Sequence, residues 1–240
     1  PDGLNINKDC GSTNLGFLRE TVAQEKADIG IAFDGDGDRV CLVDHQGSLV
    51  DGDDILYLLA IDLFDKGEEF GGVVGTHMTN MAFELAFRDK GIPFFRADVG
   101  DRNVIRAMKE RGWLLGGEGS GHILNLRKTN TGDGLITALQ ILEIIYRNKK
   151  NLAQIANTVT KYPQILKNIR CRDPESLLSN HTFCSEIRGC TGRLGEKGRI
   201  LVRKSGTEPL VRVMVEGQNR QEIESIGGHL ESVAVSVRQF

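Results

Sequence analysis

Asp34, Asp36 and Asp38 alternate with Gly35 and Gly37 and are followed by Arg39, so negative charge is concentrated on a short, pliable stretch. Alternate side chains of an extended backbone project to one side, and the two glycines let the chain curl until the three carboxylates converge. Two such charges ~4 Å apart repel by about 4 kcal/mol at an effective dielectric of 20. The loop therefore calls for a cation. All-oxygen ligands favour a hard divalent ion, with Mg²⁺ ahead of a transition metal. A calcium EF-hand also opens with alternating acids, but it needs glycine at its sixth position and glutamate at its twelfth. Those positions are Arg39 and His45 here. The competing account is an acidic turn that water alone solvates.

A second segment with chemistry in it is Gly116-Gly117-Glu118-Gly119-Ser120-Gly121-His122. Its glycines keep side chains off the backbone and let a ligand come close. Glu118 can accept from the hydroxyls of a sugar, and Ser120 can both donate and accept. A tight turn without a ligand is the alternative. His122 taken alone fits a packed histidine as well as a catalytic one.

The third segment is Arg203-Lys204-Ser205-Gly206-Thr207-Glu208-Pro209, with Arg212 beyond it. Cations, hydroxyls and a glycine this close suit a phosphate dianion, held bidentately by arginine and completed by Ser205, Thr207 and backbone amides. The glycine spacing of a Walker loop is absent, and a solvated basic hairpin is the plainer reading. Val99-Gly100-Asp101-Arg102 and Thr131-Gly132-Asp133-Gly134 read as helix-start loops with aspartate as cap or turn former.

The elements that must position these segments alternate between strand and helix, which argues for α/β layering. Strands are expected over 28–33, 40–43, 72–76, 94–97, 114–115 and 122–126. Helices are expected from Asp53 or Asp54 through Leu63, and over 81–90, 103–111 and 135–146, the last apolar almost all round and hence well buried. Pro163 marks the likeliest boundary. Strands at 164–170, 199–203 and 210–215 and a closing helix at 221–237 follow.

At 240 residues, 40% hydrophobic and 26% charged, the chain has room for one large or two small globular domains. A net charge of -3 gives no electrostatic case for nucleic acid or membrane surfaces, and no apolar run reaches transmembrane length. Five cysteines without a C-x-x-C pair read as reduced thiols in a cytoplasmic protein. The opening stretch from Pro1 to Asn7, polar and without methionine, reads as the middle of a longer polypeptide.

Taken together, the D-G-D-G-D-R, G-E-x-S-G-H and R-x-S-G-T segments resemble the α-D-phosphohexomutase superfamily, in its order and over the whole chain. Residues 1–7 with Cys10 to Thr13, and the segments at 99–102, 131–134 and 203–215, are similar to the bacterial phosphoglucosamine mutases within it. Gly119 departs from that pattern, where relatives commonly carry a larger, often amide-bearing residue.

The resemblance implies phosphohexomutase-like mixed-sheet α/β layers plus a smaller α+β carboxy-terminal domain. Residues 1–50 would end a second domain and carry the metal loop, 51–160 would form a third domain with the sugar loop, and 161–240 a phosphate-binding fourth. Asp34, Asp36 and Asp38 would hold Mg²⁺, with Arg39 touching the transferring phosphate and His122 near the proton-transfer machinery. Glu118 and Ser120 would grip the sugar, while Arg203, Ser205, Gly206, Thr207 and Arg212 would clamp the phosphate that is not reacting.

The implied reaction interconverts glucosamine 6-phosphate and glucosamine 1-phosphate, on the way to UDP-N-acetylglucosamine and the cell wall. It runs through an enzyme phosphoserine and a bound bisphosphate, with a hexose 1,6-bisphosphate as activator of the intact enzyme. The donor serine belongs to a T-A-S-H-N-P-like segment that nothing in these residues matches, so this portion alone is expected to be inactive. The implied partner is a small hexosamine phosphate, with no nucleic acid and no membrane; a homo-oligomer is left open. Phosphomannomutase or phosphoglucomutase activity, or a non-catalytic sugar-phosphate-binding module, are the alternatives.

Overall fold

The computed structural model describes residues 2–237, so Pro1, which opens the stretch read as mid-chain, lies outside the described residues. Two compact units divide the chain, Pro1–Thr160 and Lys161–Phe240. The first begins with helix α1 (Gly16–Glu25), for which the apolar spacing gave no expectation. Strands β1 (Ile29–Phe33), β2 (Val40–Asp44) and β3 (Leu49–Val50) follow in one antiparallel sheet of that order. The β1–β2 register pairs Phe33 with Val40, which leaves residues 34–39 as the hairpin loop.

Helix α2 (Gly52–Asp65) starts two or three residues earlier than the sequence suggested. Its cap is Asp51, whose side chain accepts from the amides of Asp53 and Asp54, while Asp54 reaches back to the Asp51 amide. Neither Asp53 nor Asp54 is the cap, because this reciprocal box satisfies more free amides than either could alone. Strand β4 (Val73–Thr76), helix α3 (Met81–Asp89), strand β5 (Phe94–Ala97), helix α4 (Asp101–Arg111) and strand β6 (Leu115–Gly117) come next. Strand β7 (Ile123–Asn125), helix α5 (Gly134–Asn148) and the short helix α6 (Leu152–Ala156) complete the unit.

The second sheet has the order β5-β4-β6-β7, with β4 parallel to both neighbours and β7 antiparallel. Side chains on both of its faces are covered. Val73 and Leu115 face a core with Leu56, Phe83 and Phe87 from α2 and α3, whereas Val74 and Leu124 face Val104 and Met108 from α4. Each fully buried side chain of this size contributes ~1.5–3 kcal/mol. Helix α5 is not buried all round as its composition suggests. Ala138, Ile141 and Ile144 pack inward, but Leu135, Leu139 and Tyr146 are exposed, since a helix against one sheet has only one face to bury.

The second unit contains strand β8 (Gln164–Arg170), helices α7 (Pro174–Ser179) and α8 (His181–Leu194), strands β9 (Gly198–Lys204) and β10 (Leu210–Gly217), and helix α9 (Arg220–Ser236). The strands form an antiparallel sheet β8-β10-β9. Val211, Val213 and Val215 on one face pack with Phe183 of α8 and Ile223 and Leu230 of α9. Arg203 and Arg212 occupy the opposite face, one position out of phase. The whole is α/β layering with a smaller α+β unit at its end.

Removing the cap of α2 tests this account locally. Asp51→Ala should cost about 1 kcal/mol of stability, read as a lower urea midpoint with an unchanged slope.

Candidate functional site

The three aspartates sit in the β1–β2 hairpin, and one carboxylate oxygen from each lies within 4.8 Å of the others. The Asp34 carboxylate accepts the Arg39 amide at 3.0 Å, and its carbonyl accepts the Gly37 amide at 3.2 Å, so the loop is folded on its own backbone. The Arg39 guanidinium Nε lies 3.7 Å from both Asp34 and Asp38, offsetting part of their repulsion. Asp38 Oδ1 is buried and has no hydrogen-bond partner among the described residues. A buried carboxylate oxygen without a donor carries a full desolvation penalty, which an ion would relieve. An ion with oxygen ligands at about 2.1 Å holds opposite ligands about 4.2 Å apart. The carboxylates therefore fit a hard cation with little movement.

Residues from the start of the chain lie against this loop. The Gly11 backbone packs on the Phe33 carbonyl and on Asp34, and the Ile6 side chain lies over Gly35. Ser12 beside them is buried.

The glycine-rich segment lies where β6 ends, on the edge of the sheet at which parallel strands present their carboxyl ends and α/β folds bind ligands. Gly116 and Gly117 belong to β6, so the turn proper is residues 118–121, closed by the Gly121 amide on the Glu118 carbonyl at 3.0 Å. Gly121 has φ +93°, and a Cβ there would stand 2.2 Å from the Val40 carbonyl. Only glycine fits a backbone in that region.

The close approach joins the turn to the aspartate loop. The Val40 amide donates to Gly121 O at 3.1 Å, and Arg39 and His122 form an antiparallel bridge. His122 Nδ1 lies 3.0 Å from Asp38 Oδ2. Asp34, Asp36, Asp38, Arg39, Glu118, Ser120 and His122 thus belong to one continuous piece of backbone structure. Ser120 is exposed, and Glu118 is half-buried with Oε1 accepting the Gly100 amide at 2.9 Å.

Two loops that looked like ordinary helix starts hold this arrangement. Gly100 fixes Glu118 as described, and the Gly134 amide donates to Gly37 O at 2.9 Å. Gly132 presses on the His122 ring. They act through backbone groups, so their side-chain types carry no signal; the paired glycines of 131–134 are the one visible sign. Helix α2 supports the turn from beneath, its Gly52 amide donating to Gly119 O at 3.1 Å.

The Arg203–Arg212 segment belongs to the second unit. In the β9–β10 hairpin these two arginines are direct cross-strand partners, and like charges placed so are destabilising. Glu208 approaches Arg212 only to 3.7 Å, and Arg212 Nε is buried with no hydrogen-bond partner among the described residues. Ser205 is tied into the turn through its amide on Leu210 O at 2.9 Å, whereas Gly206 and Thr207 are exposed. Lys204 is drawn away to Glu175, whose hydrogen bond and charge push the lysine up from its ordinary pKa. The hairpin thus places two arginines opposite each other, with a single long ion pair from Glu208 to Arg212 among the described residues.

Two family models match the chain. One, described as phosphoglucomutase/phosphomannomutase alpha/beta/alpha domain III, covers residues 51–162, and another, the C-terminal domain of the same family, covers 149–228. A phosphoglucosamine mutase of Pseudomonas fluorescens is 49% identical over 99% of this chain and 53% of its own length. One of Hydrogenovibrio crunogenus is 51% identical over 94% and 50%. The chain spans about half the length of the curated relatives it matches.

Among solved structures, a phosphoglucomutase/phosphomannomutase family protein of Burkholderia thailandensis superposes with TM-score 0.79 at 23% identity, over 95% of this chain and 51% of that one. Aspergillus fumigatus N-acetylphosphoglucosamine mutase, solved with GlcNAc-6P and magnesium, gives 0.77 at 20% identity, over 95% and 57%.

The contact beneath the turn permits a test. A methyl group at position 52 would stand 2.0 Å from the Glu118 carbonyl. Gly52→Ala should therefore cost ~1–3 kcal/mol and shift the amide resonances of residues 118–122, which two-dimensional NMR of the chain would report.

Proposed function

Because the chain belongs to the phosphoglucomutase/phosphomannomutase family, we propose that it is the carboxy-terminal portion of a cytoplasmic phosphoglucosamine mutase. Residues 1–50 then end the second domain, 51–160 form the third and 161–240 the fourth. The reaction is glucosamine 6-phosphate to glucosamine 1-phosphate through a bound bisphosphate. What carries the reading is the convergence of three carboxylates, one oxygen of Asp38 lacking a donor, on a loop joined by backbone bonds to a turn bearing Glu118 and Ser120.

Phosphoryl transfer asks little covalent chemistry of a protein. It asks for in-line placement and for charge opposite the transferring group. Asp34, Asp36 and Asp38 would hold a Mg²⁺, which would supply positive charge against the phosphoryl oxygens. Arg39, its guanidinium beside two of those carboxylates and 42% exposed, reaches the same oxygens with two parallel donors. Glu118 accepts from sugar hydroxyls, and Ser120 donates to or accepts from them. Arg203 and Arg212, with Ser205, Gly206 and Thr207, bind the phosphate that is not being transferred. That dianion answers the unpartnered Arg212 Nε.

The phosphoryl donor is a phosphoserine of a segment these residues do not match, and a hexose 1,6-bisphosphate primes it. The donor gives its phosphoryl group to the sugar, the bisphosphate turns over, and the other phosphate returns to the serine. Ser12 does not stand in for it, because its hydroxyl is buried beside the metal loop.

The 240-residue chain should show no turnover in a coupled assay with glucosamine 6-phosphate and glucose 1,6-bisphosphate. Turnover at the level of full-length relatives would overturn the assignment of the donor. In a full-length protein carrying these residues, Arg203→Ala should weaken sugar-phosphate binding by ~1.5–3 kcal/mol. Unchanged affinity would remove the hairpin from the site.

A further inference from the structure

We propose that His122 is a positioning residue for the metal loop, its Nδ1 holding the Asp38 carboxylate so that Oδ1 is presented to a divalent cation. This deepens the reading of that loop as a Mg²⁺ site and rests on it.

The geometry divides the work of the two oxygens of Asp38. Oδ2 lies 3.0 Å from His122 Nδ1, whereas Oδ1 is buried, 3.7 Å from Arg39 Nε and without a hydrogen-bond partner among the described residues. An ionised carboxylate can only accept, so Nδ1 carries the proton of this bond. Asp34 shows the same division by other means: its Oδ1 accepts the Arg39 amide and its Oδ2 faces the Arg39 side chain. Two of the three aspartates are thus each fixed through one oxygen, and Asp36 is exposed. A carboxylate pinned this way loses little further freedom when an ion arrives. Losing a partner of that kind typically costs about 10–100-fold in metal affinity.

The imidazole is itself held in place. Its backbone bridges to Arg39, and its carbonyl accepts the Glu118 amide at 3.0 Å. Gly132 closes the ring in; a Cβ there would stand 2.2 Å from Cε1 and 2.5 Å from Nε2. The side chain is only 6% exposed. A ring enclosed on this scale suits holding a carboxylate still, and it gives the run 131–134 a purpose, because only a glycine at 132 leaves room for it.

Mn²⁺ titration of the 240-residue chain, followed by electron paramagnetic resonance of the free ion, tests the proposal. His122→Ala should weaken Mn²⁺ binding about 10–100-fold. His122→Asn should restore most of that loss, because its amide nitrogen occupies the place of Nδ1, and His122→Gln, whose nitrogen lies further out, should not. Equal affinity in all four proteins overturns the inference while leaving the metal loop standing. No Mn²⁺ binding by the unsubstituted chain overturns both. Should the variants fail to fold, nitrogen-15 shifts of His122 in the unsubstituted chain decide the matter. A protonated Nδ1 that persists on adding Mg²⁺ supports the role, and an unprotonated Nδ1 rules it out.

Discussion

Three carboxylates within 4.8 Å of one another repel, and the hairpin that carries them would open if nothing else held it. What holds it is backbone: the Asp34–Gly37 turn, the Val40–Gly121 hydrogen bond, the Arg39–His122 bridge and the Gly134–Gly37 hydrogen bond. Each spends an amide that the hairpin or turn would otherwise leave to water, so the charge cluster is fixed at sites where paired backbone groups are expected anyway. The core beneath α2 then supports the arrangement, since Gly52 meets the 118–121 turn at a distance no side chain could share. Chemistry and packing are therefore one continuous structure in this unit.

The second unit meets the same problem with the opposite sign. Two arginines face each other across a β-hairpin whose other face is a valine-rich core. The valines fix the register. With the register fixed, Arg203 and Arg212 cannot slip apart, because a one-residue shift would turn Val211, Val213 and Val215 out of the core. Glu175 meanwhile occupies Lys204, which leaves the two arginines as the cationic pair of the hairpin.

Much of this was legible in the residue order, and the reason is chemical. Aspartates alternating with glycine, or a glutamate and a serine among glycines, have few uses, so side-chain identity alone narrowed the role of 34–39 and 116–122. The strands around them were readable because Val40 to Val43 and Val73 to Val74 leave no doubt about burial. The α2 cap was not readable, because Asp51, Asp53 and Asp54 are each competent and only the fold decides which faces the free amides. Helix α8 was missed because Gly189, Gly192 and its many polar residues mask its apolar stripe; Phe183, Cys190 and Leu194 give it a packed side only once α9 and β10 are present. The parts played by Gly100, Gly132 and Gly134 escaped for a different reason. They are contacts made by amide groups and by the space a missing side chain leaves, and a glycine in the sequence does not say what it approaches.

Both binding loops store like-charge repulsion, one anionic and one cationic, in places partly open to water. Dissolved salt screens such close repulsion only in part at 0.1 M, where the Debye length is about 10 Å, and more fully near 1 M, where it is about 3 Å. Ionic strength thus acts on these loops in the reverse of its usual sense for surface ion pairs: it relaxes the empty loops and competes with whatever charged partner would otherwise relax them. A protein built this way is calmest either in brine or in company, and most strained alone in dilute solution.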